Sequence, residues 1–210
     1  MKRYVGQNTA ERLGDIVGLN NEDKEVIAYG LEQVISNSFT IAITLLVGFF
    51  MGVLLEVVTI ILCLALARRL VGGAHCTTPW RCAVASCFLI TITALVSKLL
   101  CLMVSATLLI ILFFTGAIVI TWIWAPNDSE KKPINDVKKR KRLRLHALTI
   151  EVILAFVFIV IAKNSETYQL LAVAGAGGVA TMSFTATPLG HKLMARFDKF
   201  LGGFFYKKGR

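Results

Sequence analysis

Long apolar runs separated by short polar segments make up most of the chain after residue 33. The run over residues 34–67 would measure roughly 51 Å as one helix, whereas a single membrane pass needs only ~20 residues. We therefore predict two passes in this run, with a turn near Gly52. Four further passes are predicted at residues 82–97, 99–124, 147–162 and 170–187, with Lys98 near the turn between the third and the fourth.

Two amphipathic segments flank these runs. Residues 1–32 mix apolar and charged positions, and Asn20 or Asn21 is placed to cap a helix before an acidic first turn. Near the other end, Leu193, Phe197 and Phe200 alternate with basic residues, which is typical of a helix lying in the membrane interface. The fold class predicted is all-α: a polytopic integral membrane protein of about six transmembrane helices, with residues 1–210 as a single membrane-embedded domain.

Composition supports the membrane assignment. Hydrophobic residues make up 56% of the chain and charged residues 17%, against about 25% charged in a typical soluble domain. A net charge of +10 would by itself be compatible with nucleic-acid binding. The cations instead cluster between apolar runs, as juxtamembrane charges do, so the predicted partner is the lipid bilayer and no nucleic acid. No apolar stretch occurs early enough for a cleavable signal peptide.

The distribution of Lys and Arg predicts the orientation. With six passes, the segments on one side carry four, three, eight and six of these residues, and the other side has only Lys98 and Lys163. Cations are retained on the cytoplasmic side. We therefore expect a multi-pass protein of a bacterial plasma membrane, with both termini and residues 68–81 in the cytoplasm.

The segment 68–82 carries the candidate chemistry. Gly72-Gly73 is expected to break the preceding helix, and Pro79 to start the next one, which places Cys82 in its first turn. A helix N-terminus favours thiolate over thiol. His75 lies seven residues before Cys82, and the interruption allows the imidazole to fold back to within about 3 Å of the sulfur.

Other interpretations of this segment stay open. An ordinary turn with a chance His and Cys is one. A metal site is not predicted, because His75, Cys76 and Cys82 have no fourth Cys or His nearby, and no cofactor is expected. Cys76 is a competing nucleophile without the helix N-terminus. Glu56 is either a functional intramembrane carboxylate or a side chain that reaches the interface near a turn.

Two landmarks carry a family resemblance. The first reads Arg68-x4-Gly73-x-His75-x6-Cys82, followed by Ser86; the second reads Ala125-Pro126, then Lys131-Lys132-Pro133-Ile134 and a basic run. Both resemble motifs of the accessory gene regulator B family of quorum-sensing membrane peptidases. Length, pass pattern and landmark order also match, so the resemblance covers nearly the whole chain.

The resemblance implies a cysteine endopeptidase. Family members cleave the C-terminal part from a short amphipathic pro-peptide at the cytoplasmic face and hold the remainder as a thioester. A cysteine or serine of the peptide then attacks the thioester and releases a cyclic thiolactone or lactone. Carried over, Cys82 is the nucleophile and His75 the general base. The substrate-binding positions that match the motifs are Arg68, Gly73, Lys131, Lys132 and Pro133.

The resemblance also implies a possible homodimer, for which Gly175, Gly177 and Gly178 would permit close helix contact. The basic residues 131–144 would either attract an acidic peptide tail or anchor the chain to anionic lipid. A small transporter or peptide exporter is the alternative function: it would explain six passes and Glu56 but has no need of His75 and Cys82. A non-catalytic assembly partner is the third hypothesis.

Overall fold

The computed structural model describes residues 20–74, 76–127 and 136–206 of the chain. This part of the chain is helical and has no strand, which confirms the all-α class. The helices are α1 Asn21–Phe50, α2 Leu54–Val71, α3 Pro79–Cys101, α4 Ala106–Trp124, α5 Val137–Asn164, α6 Gln169–Thr185 and α7 Pro188–Tyr206, with a 3-10 turn at Glu166–Tyr168. The part of the amphipathic segment that precedes Asn20 lies outside the described residues.

The first two helices form where the sequence predicts them. The Asn20 side chain accepts a hydrogen bond from the Asp23 N–H at 2.8 Å, which is the expected N-cap. From this cap, α1 runs without a break from the amphipathic segment into the apolar run. The turn near Gly52 is also present: Gly52 has φ 65° and donates its N–H to the Phe49 carbonyl at 3.1 Å.

Two predicted boundaries are wrong. Helix α3 continues past Lys98 to Cys101, and the Lys98 ammonium donates to the Gly52 carbonyl at 3.3 Å. Helix α5 begins at Val137 rather than at residue 147, because Asp136 caps it by accepting from the Lys138 N–H at 2.8 Å. The basic residues 138–144 therefore lie on a helix. Lys and Arg are good helix formers, and hydropathy marks only the part of a helix that sits in lipid.

Among the described residues, four helices are long and apolar enough to cross a membrane, at Asp23–Phe50, Pro79–Cys101, Ala106–Trp124 and Val137–Asn164. Helices α6 and α7 meet at 86° and add a fifth if the pair counts as one span. The prediction was about six. The difference concerns α2, whose 18 residues include Glu56 near one end and Arg68 and Arg69 at the other. Leu55 and Leu62 on α2 are nevertheless exposed, as large apolar side chains on the other helices are.

Helix α6 is the centre of the bundle and packs against α2, α3, α4 and α5. Its small residues allow these close approaches. A Cβ added at Gly175 would lie 2.7 Å from the Phe158 ring, and one at Gly178 would lie 3.1 Å from Ile60. These glycines therefore serve contacts within the chain, and the homodimer stays a prediction.

The bundle has two ends, which we name by their connections. The turn end holds the three tight connections at residues 51–53, 102–105 and 165–168. The loop end holds residues 72–74, 76–78 and 125–127, the junction of α6 with α7, and α7 itself. Helix α7 is amphipathic, as predicted: Met194, Asp198 and Leu201 are buried, whereas Leu189 and Phe200 are exposed.

Candidate functional site

Two glycines form the break at the end of α2. Gly72 has φ 77° and ψ −157°, and Gly73 has φ 155°, a range that favours glycine. A Cβ on Gly73 would lie 2.9 Å from both Met182 Cε and Thr185 Oγ1. The Ala74 N–H donates to the Thr185 carbonyl at 3.3 Å. The loop thus leaves α2 in a conformation that needs glycine and is held against the end of α6.

Cys82 lies in the first turn of α3, as the sequence predicts. Pro79 is the first helical residue, and Thr78 before it is extended. The Cys82 N–H donates to the Thr78 carbonyl at 3.1 Å. The half-buried Cys82 side chain therefore lies next to the positive end of a helix, which is a setting that activates thiols.

Several predicted site residues are not brought together by the described structure. His75 lies outside the described residues, as do Lys131, Lys132 and Pro133, so the distance from His75 to Cys82 stays a prediction. Arg68 is exposed in the last turn of α2, and its carbonyl accepts the Gly72 N–H at 3.3 Å.

Cys76 and Cys82 are hydrogen-bonded through their side chains. The pKa of Cys76 is raised, first by this hydrogen bond, then by burial, and then by the negative charges of Cys82 and Asp198, while Arg81 opposes the shift. The neutral thiol form of Cys76 is therefore favoured. The sequence offered Cys76 as a competing nucleophile, and no motif predicted that the two thiols meet.

A buried carboxylate that sequence reasoning missed borders this pair. Asp198 on α7 is 7% exposed. It accepts from the Thr77 N–H at 3.2 Å and the Thr77 hydroxyl at 2.9 Å, and it pairs with Arg81 Nη1 at 3.4 Å. The available signal was a single acid in a basic amphipathic helix. Nothing local indicates a partner 121 residues away.

The two sequence landmarks meet at the loop end. The Asn127 N–H donates to the Val71 carbonyl at 2.9 Å, and a Cβ added at Gly72 would overlap the Asn127 carbonyl. Arg144 Nε donates to the Ala125 carbonyl at 2.7 Å. The Ala125-Pro126 landmark is therefore docked against the end of α2 and the start of the loop that leads to Cys82.

A cavity of about 410 Å³ opens beside Asn127. Trp124, Arg140 and His191 are among its lining residues. The Asn127 amide also contacts His191 and donates to the Ala186 carbonyl at 2.8 Å.

A second carboxylate was also missed. Glu151 on α5 is 2% exposed and accepts from the Thr121 hydroxyl at 2.7 Å and the Ser183 hydroxyl at 3.4 Å. Its Oε2 is buried and has no hydrogen-bond partner among the described residues. The signal was present in the sequence, because a carboxylate within an apolar run is rare and often functional. Glu56, in contrast, lies in the first turn of α2, at the turn end.

The comparisons with known proteins place the chain in a family. The family model described as accessory gene regulator B matches residues 7–185. The chain belongs to the accessory gene regulator B family.

Relatives of similar length support this membership. AgrB-like protein 2 of Clostridium perfringens (strain 13 / Type A) is 27% identical over 95% of this chain and 98% of its own length. An AgrB-like protein of Clostridium beijerinckii is 31% identical over 66% of this chain and 68% of its own. An AgrB-like protein of Listeria welshimeri serovar 6b is 25% identical over 89% of this chain and 91% of its own length. No solved structure matches the chain.

Membership of the accessory gene regulator B family implies a role in the corresponding quorum-sensing system. Together with the apolar helices it also identifies a membrane protein. The matched segment ends with helix α6. Helix α7, and with it Asp198, lies beyond that segment.

Proposed function

We propose that this member of the accessory gene regulator B family is a membrane cysteine endopeptidase. It cleaves the C-terminal part from a short amphipathic quorum-sensing pro-peptide, with Cys82 as nucleophile and His75 as general base. The observation that supports this most directly is the pair of thiols at the break before α3. Cys82 lies in the first turn of that helix, whereas the pKa of Cys76 is raised by its hydrogen bond with Cys82 and by burial, so Cys82 is the better placed of the two sulfurs to carry negative charge.

The proposed reaction has two acyl transfers. The Cys82 thiolate attacks the scissile carbonyl, His75 gives a proton to the leaving amine, and the C-terminal fragment departs. The N-terminal part stays on the sulfur as a thioester. A cysteine or serine of that peptide then gives its proton to His75 and attacks the same carbonyl, which releases a cyclic thiolactone or lactone and returns the Cys82 thiolate and the protonated His75.

Two buried donors beside the nucleophile suit the negative oxygen formed in each transfer. Thr78 Oγ1 and Arg81 Nε are buried and have no hydrogen-bond partner among the described residues. Donors that are already in place and not satisfied elsewhere stabilise such an oxygen most effectively. In the sequence, Thr78 lies one helical turn before Cys82, and Arg81 directly precedes it.

The second transfer depends on limiting water. Exchange between a thioester and a thiol is close to thermoneutral, so hydrolysis would otherwise compete with ring formation. Cys76, the partner of Cys82, packs against buried Ala74, Ala85 and Met194, which gives the thiol pair an apolar surrounding.

The loop end is the proposed binding face for the peptide. Arg68 and Gly73 lie at the end of α2, and Lys131, Lys132 and Pro133 follow Asn127 in the sequence. The cavity beside Asn127 is lined in part by Arg140 and His191, which favours an acidic segment of the peptide. The segments predicted on this side carry every Lys and Arg except Lys98 and Lys163. We therefore place this face in the cytoplasm of a bacterial cell.

A processing assay tests the proposal. The chain is co-expressed with a short amphipathic pro-peptide, sought among the genes beside its own, and the mass of the peptide is followed. Cys82→Ala and His75→Ala are compared with Cys101→Ala, which removes a thiol from the opposite end of the same helix. We expect cleavage by the parent and by Cys101→Ala, and none by the other two at equal amounts in the membrane. Unchanged cleavage by Cys82→Ala would rule out the mechanism.

A small transporter or peptide exporter is the second candidate function. The buried Glu151, with one oxygen unpartnered among the described residues, favours it, because carboxylates inside membranes often lie on transport pathways. Export that survives both Cys82→Ala and His75→Ala and is lost in Glu151→Gln would support this candidate. A parent chain that leaves the pro-peptide intact would do the same.

A further inference from the structure

Helix α7 lies across the loop end, and its Asp198 side chain is buried there. Asp198 is 7% exposed, although Lys192, Arg196 and Lys199 of the same helix are exposed. Burying a carboxylate is unfavourable unless hydrogen bonds and opposite charge compensate for the lost water. The partners of Asp198 come from residues 77–81 rather than from its own helix.

The Asp198 carboxylate joins both sides of the break before α3. Its Oδ1 accepts from the Thr77 N–H at 3.2 Å, and its Oδ2 accepts from the Thr77 hydroxyl at 2.9 Å. Arg81 Nη1 lies 3.4 Å from Oδ2 and also donates to Thr77 Oγ1 at 3.2 Å. Thr77 directly follows Cys76, and Arg81 directly precedes Cys82. The two residues held by Asp198 are therefore the neighbours of the two thiols.

Packing on either side of Asp198 fixes how α7 meets α3. The Phe197 ring stacks on Phe88, with centroids 5.6 Å apart and an interplanar angle of 22°. One turn further on, a Cβ added at Gly202 would lie 3.0 Å from Arg81 Nη2. The glycine thus lets the helix backbone approach the guanidinium closely. These contacts hold the carboxylate at a defined place beside the loop.

The negative charge of Asp198 does not activate a thiol, so activation is not the reason why this carboxylate lies beside the loop. The pKa of Cys76 is raised first by its hydrogen bond with Cys82, then by burial, and the Asp198 charge raises it further. A nearby anion therefore disfavours thiolate formation. Such a group is explained better by what it holds than by the field it creates.

We propose that Asp198 is a positioning residue of the peptidase site, an inference that rests on the proposed function. Its carboxylate fixes residues 76–78 against the start of α3 and so places Cys82 and Cys76 relative to the bound peptide. Helix α7 is then part of the site, although it lies beyond the segment that matches the family. Asp198 itself touches neither the peptide nor the reacting atoms.

The test uses the full chain in lipid nanodiscs with the pro-peptide identified in the processing assay. The variants are Asp198→Asn, Thr77→Val and Thr77→Ser, with Glu166→Gln at the turn end as the control. The measurements are kcat and KM for cleavage, and the rate at which iodoacetamide labels Cys82, mapped by mass spectrometry. Thr77→Val keeps the shape of the side chain but removes the hydroxyl, whereas Thr77→Ser keeps the hydroxyl.

We expect Asp198→Asn and Thr77→Val to lower kcat at least tenfold with KM changed less than threefold. Thr77→Ser and Glu166→Gln should stay within twofold of the parent. Labelling of Cys82 in Asp198→Asn should be as fast as in the parent or faster, because an anion has been removed. A fall in labelling together with kcat and thermal stability would indicate a merely structural role and overturn the proposal.

Two further outcomes separate the inference from the proposed function. Cleavage by the parent and equally fast cleavage by Asp198→Asn would overturn the role of Asp198 and leave the peptidase standing. A parent chain that leaves the pro-peptide intact would overturn both.

Discussion

The two ends of the helical bundle are held together in different ways. At the turn end, neighbouring backbone groups close the connections, as in the Val104 N–H to Leu100 carbonyl bond at 2.9 Å. At the loop end, side chains from distant parts of the sequence hold the backbone. Asn127 holds the junction with α7, Arg144 holds Ala125, and Asp198 holds Thr77.

The difference between the two ends shows where the fold contains irregular backbone and what holds that backbone in place. A short turn satisfies its own hydrogen bonds and joins antiparallel helices without help. An irregular loop costs conformational entropy and persists only where its surroundings determine it. The loop end contains Gly72 and Gly73 in backbone conformations that favour glycine, together with the buried Asp198. We infer that function, rather than folding, maintains this end, and the following predictions test that contrast.

The largest difference in processing rate is expected between alanine substitutions at two glycines with positive φ, Gly72 and Gly52. Gly72→Ala places a Cβ against the Asn127 carbonyl in a backbone region that costs about 1–3 kcal/mol. Processing of the pro-peptide should then fall roughly 10-fold to 100-fold. Gly52→Ala has open space around the new Cβ, so it should cost about 1 kcal/mol of stability and leave the processing rate nearly unchanged. Peptide mass spectrometry at equal membrane amounts measures both, and equal losses would contradict the contrast.

The next effect concerns the Cys76 thiol. Its raised pKa, caused first by the hydrogen bond with Cys82, means that little thiolate is present at neutral pH. Cys82→Ala removes that bond, so the pKa of Cys76 should fall, and its alkylation at pH 8 should rise roughly tenfold for each unit of the fall. Alkylation between pH 6 and 10, mapped by mass spectrometry, measures this. Cys101→Ala should leave the profile of Cys76 unchanged, and an unchanged profile in Cys82→Ala would refute the thiol pair.

A smaller effect is expected at the second landmark. Asn127→Ala removes the donor to the Ala186 carbonyl, and an unsatisfied carbonyl there costs about 1–3 kcal/mol. The backbone bond from Asn127 to Val71 remains, so processing should fall about fivefold rather than vanish. Processing rate and thermal stability in detergent are the measurements. A variant as active and as stable as the parent would show that the Asn127 side chain does not hold the two landmarks together.

The smallest effect is expected at the turn end. Lys98→Met removes an exposed hydrogen bond to the Gly52 carbonyl and should change stability by less than about 0.5 kcal/mol. Processing should remain within twofold of the parent. A large loss of processing in this variant, with the protein still in the membrane, would show that the turn end also contributes to function.

The sequence predicted those parts of the fold that depend on local patterns. The Asn20 cap, the turn at Gly52 and the amphipathic α7 each follow from residues within a few positions of one another. The start of α5 was misplaced because hydropathy ends where the lipid ends, while the helix continues through Lys138 to Arg144. Local signals identify an element more reliably than they place its boundary.

The candidate site was predictable to a smaller extent. Gly72-Gly73 and Pro79 indicate the break, and the break places Cys82 at a helix start. The contacts of Asp198 with Thr77 and of Asn127 with Val71 join distant segments, and one sequence has no local signal for such pairs. The role of His75 still rests on the family motif.

The contact between Thr77 and Asp198 also has a consequence for biogenesis. The two residues are 121 positions apart, and a ribosome adds about 5–20 residues per second. Thr77 is therefore synthesised roughly 6–24 seconds before the carboxylate that holds it. During this interval the nascent chain has its thiols but not their anchored arrangement. The anchored loop would then form only near the end of translation, so a chain truncated before Asp198 would reach the membrane without the arrangement that the proposed peptidase requires.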